Sequence, residues 1–190
     1  MRITVAMVPP EHVIDEVEAA LARTPAPPGE FERVARGSLM VPVFSLGNVT
    51  RPEAGSVAEL LRTELDRRRP APRVSLAGVW ALEAEGDLTV GLPLAGDVDR
   101  VNELARDMWD LVTVRGYFVD RRRWAPRLTV GSVTATTSLP FLERLLADLG
   151  GRTYPSWSVS SVLLVRRRFD APDPDTWEMV EEVRTSVEHD

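Results

Sequence analysis

The residue types that carry most acid-base and nucleophilic chemistry are scarce in this chain. It has 190 residues with two histidines, no cysteine, and 23 basic residues that are all arginines. These counts exclude disulfides, thiolate nucleophiles, zinc-thiolate sites, a Schiff-base lysine and a Walker-type phosphate loop, which needs its lysine. His12 follows Glu11 at the start of a predicted helix and His189 is the penultimate residue, so we expect a solvated helix end and a frayed chain end.

The composition is that of an ordinary globular protein, with 44% hydrophobic and 27% charged residues and a formal net charge of −6. This acidic balance argues against general DNA binding, which draws its affinity from cation–phosphate contacts, but it leaves room for one arginine-lined pocket. No apolar run approaches the ~20 residues of a membrane span, and residues 1–8 are not followed by the small-residue cleavage site of an export signal. We therefore expect a cytoplasmic protein without membrane contact.

Apolar spacing predicts alternating strands and helices along the chain. The predicted strands are 2–8, 39–49, 74–84, 88–94, 127–136 and 156–168, with a hairpin turn at 85–87. The predicted helices are 11–23, 57–69, 97–115 and 139–149. Residues 177–187 fit either a helix or an edge strand, and both remain open. This order predicts an α+β domain over 1–190, with similar lobes at about 1–72 and 73–190 between which strands can be exchanged.

Three segments together are similar to a known family: the opening MRITVAMVPP, then LMVPVFSLGNV, and later WAPRLTVGSV. In this combination the chain resembles the two-histidine (2H) phosphoesterase superfamily, and within it the 2'-5' RNA ligase-like or RNA 2',3'-cyclic phosphodiesterase branch. The resemblance covers nearly the whole chain in length, element order and motif spacing. It implies a two-lobed, pseudo-symmetric fold with antiparallel sheets around a central cleft and helices outside.

The resemblance also implies a His-x-Thr or His-x-Ser motif on one strand of each lobe, facing the cleft. Residues i and i+2 of a strand share a face, so each motif presents an imidazole and a hydroxyl together. Here Met40 and Pro42 occupy the first motif, and Arg127 and Thr129 the second. Methionine has no titratable proton, proline has no hydroxyl, and arginine stays protonated. The two-histidine acid-base mechanism is therefore not expected, and we predict a catalytically degenerate protein.

Arg127 and Thr129 still offer a planar cation and a hydroxyl on one strand face, which suits a phosphate or a carboxylate. Arg121 and Arg123 are candidates for an anion funnel at the cleft mouth, and Trp124 for a surface on which a base stacks. The alternatives are an ion pair for Arg127, simple β-propensity for Thr129 and a solvated turn for the arginines before the motif. No metal ion and no cofactor are expected, because the acidic residues near the C-terminus lack the spacing of a calcium loop.

The other tryptophans are predicted to pack in the core or on the sheets. In a second basic run, strand alternation places Arg167 on the opposite face from Arg166 and Arg168, and edge-strand charge explains the run.

Three functions remain open from the sequence. The leading hypothesis is a catalytically degenerate 2H-fold protein that binds a phosphate-bearing ligand, such as a nucleotide or an RNA end, in the cleft. The second is a protein-interaction module in which Met40 and Pro42 fill a closed apolar cleft. The third is an enzyme, either a cyclic phosphodiesterase or one with other chemistry, that uses unidentified residues.

Overall fold

The computed structural model describes residues 1–65, 69–81, 88–119, 124–167 and 177–186. Several sequence-based predictions fall outside these residues: the hairpin turn at 85–87, the placement of Arg121 and Arg123, and the position of His189.

The helices form where apolar side chains recur every three or four residues, so that each buries one stripe. In the described part of the chain they are α1 (Glu11–Arg23), α2 (Arg51–Glu64), α3 (Val98–Val114) and α4 (Leu139–Gly150). Helix α2 begins earlier than the predicted residue 57 because Thr50 and Glu53 form a reciprocal capping box. None of these helices combines the length and the apolar character that a bilayer-spanning helix needs.

The strands include most of the predicted ones and one that was not predicted. The described strands are β1 (Arg2–Met7), β2 (Phe31–Arg33), β3 (Val41–Asn48), β4 (Arg73–Leu76), β5 (Trp80–Ala81), β6 (Thr89–Gly96), β7 (Arg127–Val133), β8 (Trp157–Ser158), β9 (Ser161–Arg167) and β10 (Trp177–Arg184). Strand β2 has no counterpart in the prediction. The predicted strands at 74–84 and 156–168 are each divided in two, and the segment left open at 177–187 contains strand β10.

These strands form two antiparallel sheets, which confirms the predicted α+β class. One sheet has four strands in the order β10-β9-β1-β3, and the other has six, in the order β2-β7-β6-β4-β8 with β5 paired to β6. Strands β9 and β10 follow residue 72 but join β1 and β3, while β2 precedes it but joins β7. Each sheet therefore takes strands from both sides of the boundary at residue 72, and the division into two lobes stays a prediction.

The four-stranded sheet carries buried apolar side chains on both faces. Ile3 and Val5 of β1 belong to the main core, which also includes residues of all four described helices and of the six-stranded sheet. Ala6 points the other way and forms a second, smaller cluster with Met40 and Val165. This second cluster lies on the face that looks toward the cleft, so it matters for the site.

A short segment links the two sheets, and we call residues 29–40 the sheet linker. It contains β2 and a 3-10 helix, Arg36–Ser38, and then enters β3. At one end, the Glu30 carboxylate accepts hydrogen bonds from the N–H (2.9 Å) and the hydroxyl (2.6 Å) of Ser138, the residue before α4. Near the other end, the Arg36 guanidinium forms ion pairs with Glu11 and Asp15 of α1. The linker is therefore anchored to two different helices.

Candidate functional site

The two predicted motifs lie on β3 and β7, on opposite sides of a cavity between the sheets. Strand β3 ends the described four-stranded sheet, and β7 lies between β2 and β6 in the other. The cavity has a volume of about 360 Å³ and is lined by Thr4, Val34, Ser38, Met40, Pro42, Thr129, Arg167 and Trp177. It therefore includes three of the four motif positions.

The β3 side of the cavity is apolar where the resemblance implies an imidazole and a hydroxyl. Met40 is only 8% exposed and packs in the second apolar cluster. Pro42 is exposed, and the carbonyl oxygen of Pro42 accepts a hydrogen bond from the indole nitrogen of Trp124 at 2.7 Å. That carbonyl and the proline nitrogen share one side of the strand, so the missing N–H faces away from β1. This explains how a proline fits within β3 without losing a ladder hydrogen bond.

The β7 side keeps a hydroxyl in the cavity. Thr129 is half-buried and lines the cavity, while its neighbours Leu128 and Val130 point into the main core. Arg127 lies two residues away and is also half-buried, so alternation places both side chains on one face, as predicted.

The Arg127 guanidinium, however, is directed at an aromatic ring. Its central carbon lies 3.0 Å from the centroid of the Trp80 ring, in a cation–π contact. Trp80 pairs with Gly91, and Gly91 pairs with Thr129, so Trp80 lies on the same face of this sheet. The arginine side chain passes over the glycine, where an added Cβ would lie 3.5 Å from Arg127 Cδ. Arg127 is consequently not among the residues that line the cavity, and its ligand role stays a prediction.

Trp124 connects the two sides of the cleft. Besides its hydrogen bond to Pro42, its ring meets that of Trp109 on α3 edge to face, at a centroid distance of 5.7 Å. The indole is half-buried and lies outside the cavity lining. Base stacking on Trp124 stays a prediction, whereas its contacts to β3 and α3 are structural.

Two residues that the sequence analysis did not select do line the cavity. Arg167 of β9 and Trp177 of β10 are direct partners in the antiparallel ladder. The predicted alternation within the basic run is confirmed for its described members, since Arg166 pairs with Glu178 on the other face at 2.7 Å. The edge-strand explanation of this run is wrong, because β9 lies between β10 and β1. Reading 177–187 as a strand would have found the pair.

The cavity lining can bind an anion but offers no proton-transfer group. Hydroxyls come from Thr4, Ser38 and Thr129, and a guanidinium comes from Arg167. The residues around the cavity include no carboxylate, imidazole or amine that titrates near neutral pH. His12 is exposed on α1 and is not among them. Across the described ranges, no three His, Asp or Glu side chains come together as the ligands of a metal ion would.

The sheet linker supplies Val34, Ser38 and Met40 to the cavity, and its anchors have shifted pKa values. The hydrogen bonds from Ser138 hold the pKa of the Glu30 carboxylate below its usual range. The hydrogen bonds to Glu11 and Asp15 raise the pKa of the Arg36 guanidinium. Both groups are thus charged near neutral pH, and they hold this side of the cavity in place.

Comparison with known proteins identifies the fold. No protein-family model and no curated protein matches the sequence. Among solved structures, TT0787 of Thermus thermophilus has 21% sequence identity, a TM-score of 0.71 and coverage of 100% of both chains. Escherichia coli LigT complexed with 3'-AMP has 16% identity and a TM-score of 0.73, with 96% of this chain and 97% of LigT covered. LigT complexed with NADP+ has 16% identity and a TM-score of 0.73, with 98% of both chains covered. The chain therefore has the fold of LigT, in agreement with the two-sheet α+β architecture that the sequence resemblance implies.

Proposed function

We propose that this chain is a 2H phosphoesterase-like protein that lacks the acid-base pair and binds a phosphate-bearing ligand, a nucleotide or an RNA end. The observation that carries the proposal is the cavity of about 360 Å³ at the motif positions, lined by hydroxyls and a guanidinium but by no titratable acid or base. This volume falls within the roughly 300–1,000 Å³ of small-molecule pockets.

The polar part of the lining suits a phosphate group. The Arg167 guanidinium can donate two parallel hydrogen bonds to phosphate oxygens, and the Thr129 and Thr4 hydroxyls can each donate one. Arg127 adds positive charge on the same face of β7 as Thr129. LigT, which shares the fold, has been crystallised with 3'-AMP, NADP+, ATP and phosphate, and this supports a nucleotide as the ligand.

The same residues argue against turnover by the family's mechanism. Cleavage of a cyclic phosphodiester needs a base for the attacking oxygen and an acid for the leaving one. Met40 and Pro42 supply neither, and Arg127 stays protonated while it stacks on Trp80. We therefore expect binding without hydrolysis.

A protein-interaction module is the second candidate, because Ala6, Met40 and Val165 form an apolar floor. That alternative requires side chains to close the cleft. The volume left between β3 and β7 favours a small ligand instead.

Equilibrium binding of 3'-AMP at low salt, measured by titration calorimetry, tests the proposal. We expect the unaltered protein to bind, and Thr129→Val and Arg167→Gln each to weaken binding about tenfold or more, since each removes a hydrogen bond to a charged group. Arg166→Gln is the matched control, because this neighbouring arginine lies on the opposite face and pairs with Glu178. It should leave the affinity unchanged.

Two results contradict the proposal. Absence of phosphate-dependent binding, or equal affinities for the unaltered protein and both cavity variants, removes the ligand function. Turnover of a 2',3'-cyclic nucleotide that a single change such as His12→Ala abolishes establishes an enzyme instead. The triple variant Met40→His, Pro42→Thr, Arg127→His is an informative companion in that assay.

A further inference from the structure

One end of the cavity combines an aromatic ring with a cation. Trp177 of β10 is the direct ladder partner of Arg167 of β9, and the preceding residue of β9 pairs with Ile3 near the start of β1. Side chains at directly opposed positions have Cβ atoms about 4.5–5.5 Å apart. The ring and the guanidinium therefore lie side by side on the cleft face of the four-stranded sheet.

The other end of the cavity is different in character and lies some distance away. Met40 immediately precedes Val41, which pairs with Met7 at the end of β1. Ile3 and Met7 are about 13 Å apart along an extended strand, so the cavity crosses the sheet diagonally. The Met40 end is apolar and offers a phosphate no donor from that side chain. A phosphate is accordingly better placed toward Thr4, Thr129 and Arg167.

Trp177 is held so that it presents a surface to this cavity. It is half-buried, it packs against the second apolar cluster, and it lines the cavity. Met179 lies two residues along the same strand on the same face, but it is 58% exposed and does not line the cavity. An indole fixed by packing loses little conformational freedom when a ligand stacks on it.

We propose that Trp177 is the base-binding residue of this site, so that the ligand is a nucleotide whose base stacks on this indole while its phosphate contacts Arg167 and Thr129. This inference rests on the proposed phosphate-binding function and adds the class of ligand. It distinguishes nucleotides from phosphate esters that lack an aromatic ring, because those use only the polar part of the lining.

The test compares 3'-AMP with inorganic phosphate as ligands of Trp177→Ala, Trp177→Phe and Met179→Ala. Loss of one stacked base weakens binding by about five- to 150-fold, so we expect a loss of that size for 3'-AMP with Trp177→Ala. The same variant should bind inorganic phosphate within about twofold of the unaltered protein. Trp177→Phe keeps a ring and should retain most of the affinity for 3'-AMP, and Met179→Ala should change neither ligand.

The outcomes separate this inference from the function on which it rests. If Trp177→Ala leaves the affinity for 3'-AMP unchanged, or weakens 3'-AMP and phosphate equally, base stacking on Trp177 is wrong. If Arg167→Gln still weakens 3'-AMP in that case, the phosphate-binding function stands without it. If the unaltered protein binds neither ligand, both proposals are wrong.

Discussion

The two sides of the cavity differ in what they present at equivalent motif positions. The β3 side presents Met40 and Pro42, one packed in an apolar cluster and the other without an N–H. The β7 side presents the Thr129 hydroxyl, with Arg127 on the same face but stacked on Trp80. A pseudo-symmetric fold thus carries a site that is not symmetric.

This difference indicates how the cavity divides its work. A symmetric pair of imidazoles suits acid-base catalysis, in which one group gives a proton and the other takes one. Here polarity is concentrated at Thr129 and Arg167, and the β3 side supplies apolar surface. Such a division suits holding a ligand with one charged and one apolar part.

The largest expected effect comes from separating the two sides at Trp124, which joins them. Trp124→Ala removes the hydrogen bond to Pro42 and the edge-to-face contact with Trp109. We expect the free energy of unfolding to fall by about 2–3 kcal/mol, less than for a fully buried tryptophan. Denaturant unfolding measures this loss.

Trp124→Phe is the matched variant, because it keeps a ring against Trp109 and loses only the hydrogen bond. It should cost about 1 kcal/mol. Equal losses for the two variants would mean that the ring contact contributes nothing and that the hydrogen bond alone joins the sides.

A smaller effect is expected from making the two sides more alike with Pro42→Thr. Because Pro42 lies on the end strand with its missing N–H directed away from β1, a threonine fits there without disturbing the ladder. The new hydroxyl would line the cavity across from Thr129. A neutral hydrogen bond contributes about 0.5–1.5 kcal/mol, so we expect 3'-AMP to bind about two- to tenfold more tightly.

Calorimetric titration of this variant sharpens the comparison. Unchanged affinity, with unfolding behaviour also unchanged, would show that the phosphate does not approach the β3 side. In that case the asymmetry extends to the position of the ligand.

The sequence predicts the elements of this fold better than their partners. Helix α1 has the predicted bounds, because its apolar stripe is continuous. Strand β2 was missed because three residues define no period, and it forms only by pairing with β7. The early start of α2 was missed although Thr50 and Glu53 give the sequence signature of a capping box.

The site shows the same limit at the level of single side chains. The shared face of Arg127 and Thr129 follows from alternation, which is local. The contact of Arg127 with Trp80 depends on the pairing of β5 with β6, and the Trp177 surface depends on the pairing of β10 with β9. Pairing between distant segments is set by the whole fold, so neither was accessible to a local pattern.

The smallest effect concerns Glu30, which anchors the sheet linker and hence the β3 side. Hydrogen bonds from Ser138 lower the pKa of Glu30 below the usual 4.5. A carboxylate whose pKa is depressed in the folded state stabilises that state above its unfolded pKa, and the effect is lost as pH falls through the folded value. Glu30→Gln should therefore lower the Tm at pH 7, and its difference from the unaltered protein should shrink below about pH 4.5.

Glu53→Gln provides the matched control, because Glu53 accepts the same kinds of hydrogen bond, from Thr50, and its pKa is lowered for the same reason. That capping box is local to α2, whereas the Glu30 contact joins the linker to α4 across 108 residues of sequence. Both variants should show the same pH dependence of Tm, but only Glu30→Gln should also weaken 3'-AMP binding. If the two variants affect 3'-AMP binding equally, the linker does not position the β3 side, and the apolar packing around Met40 must hold it alone.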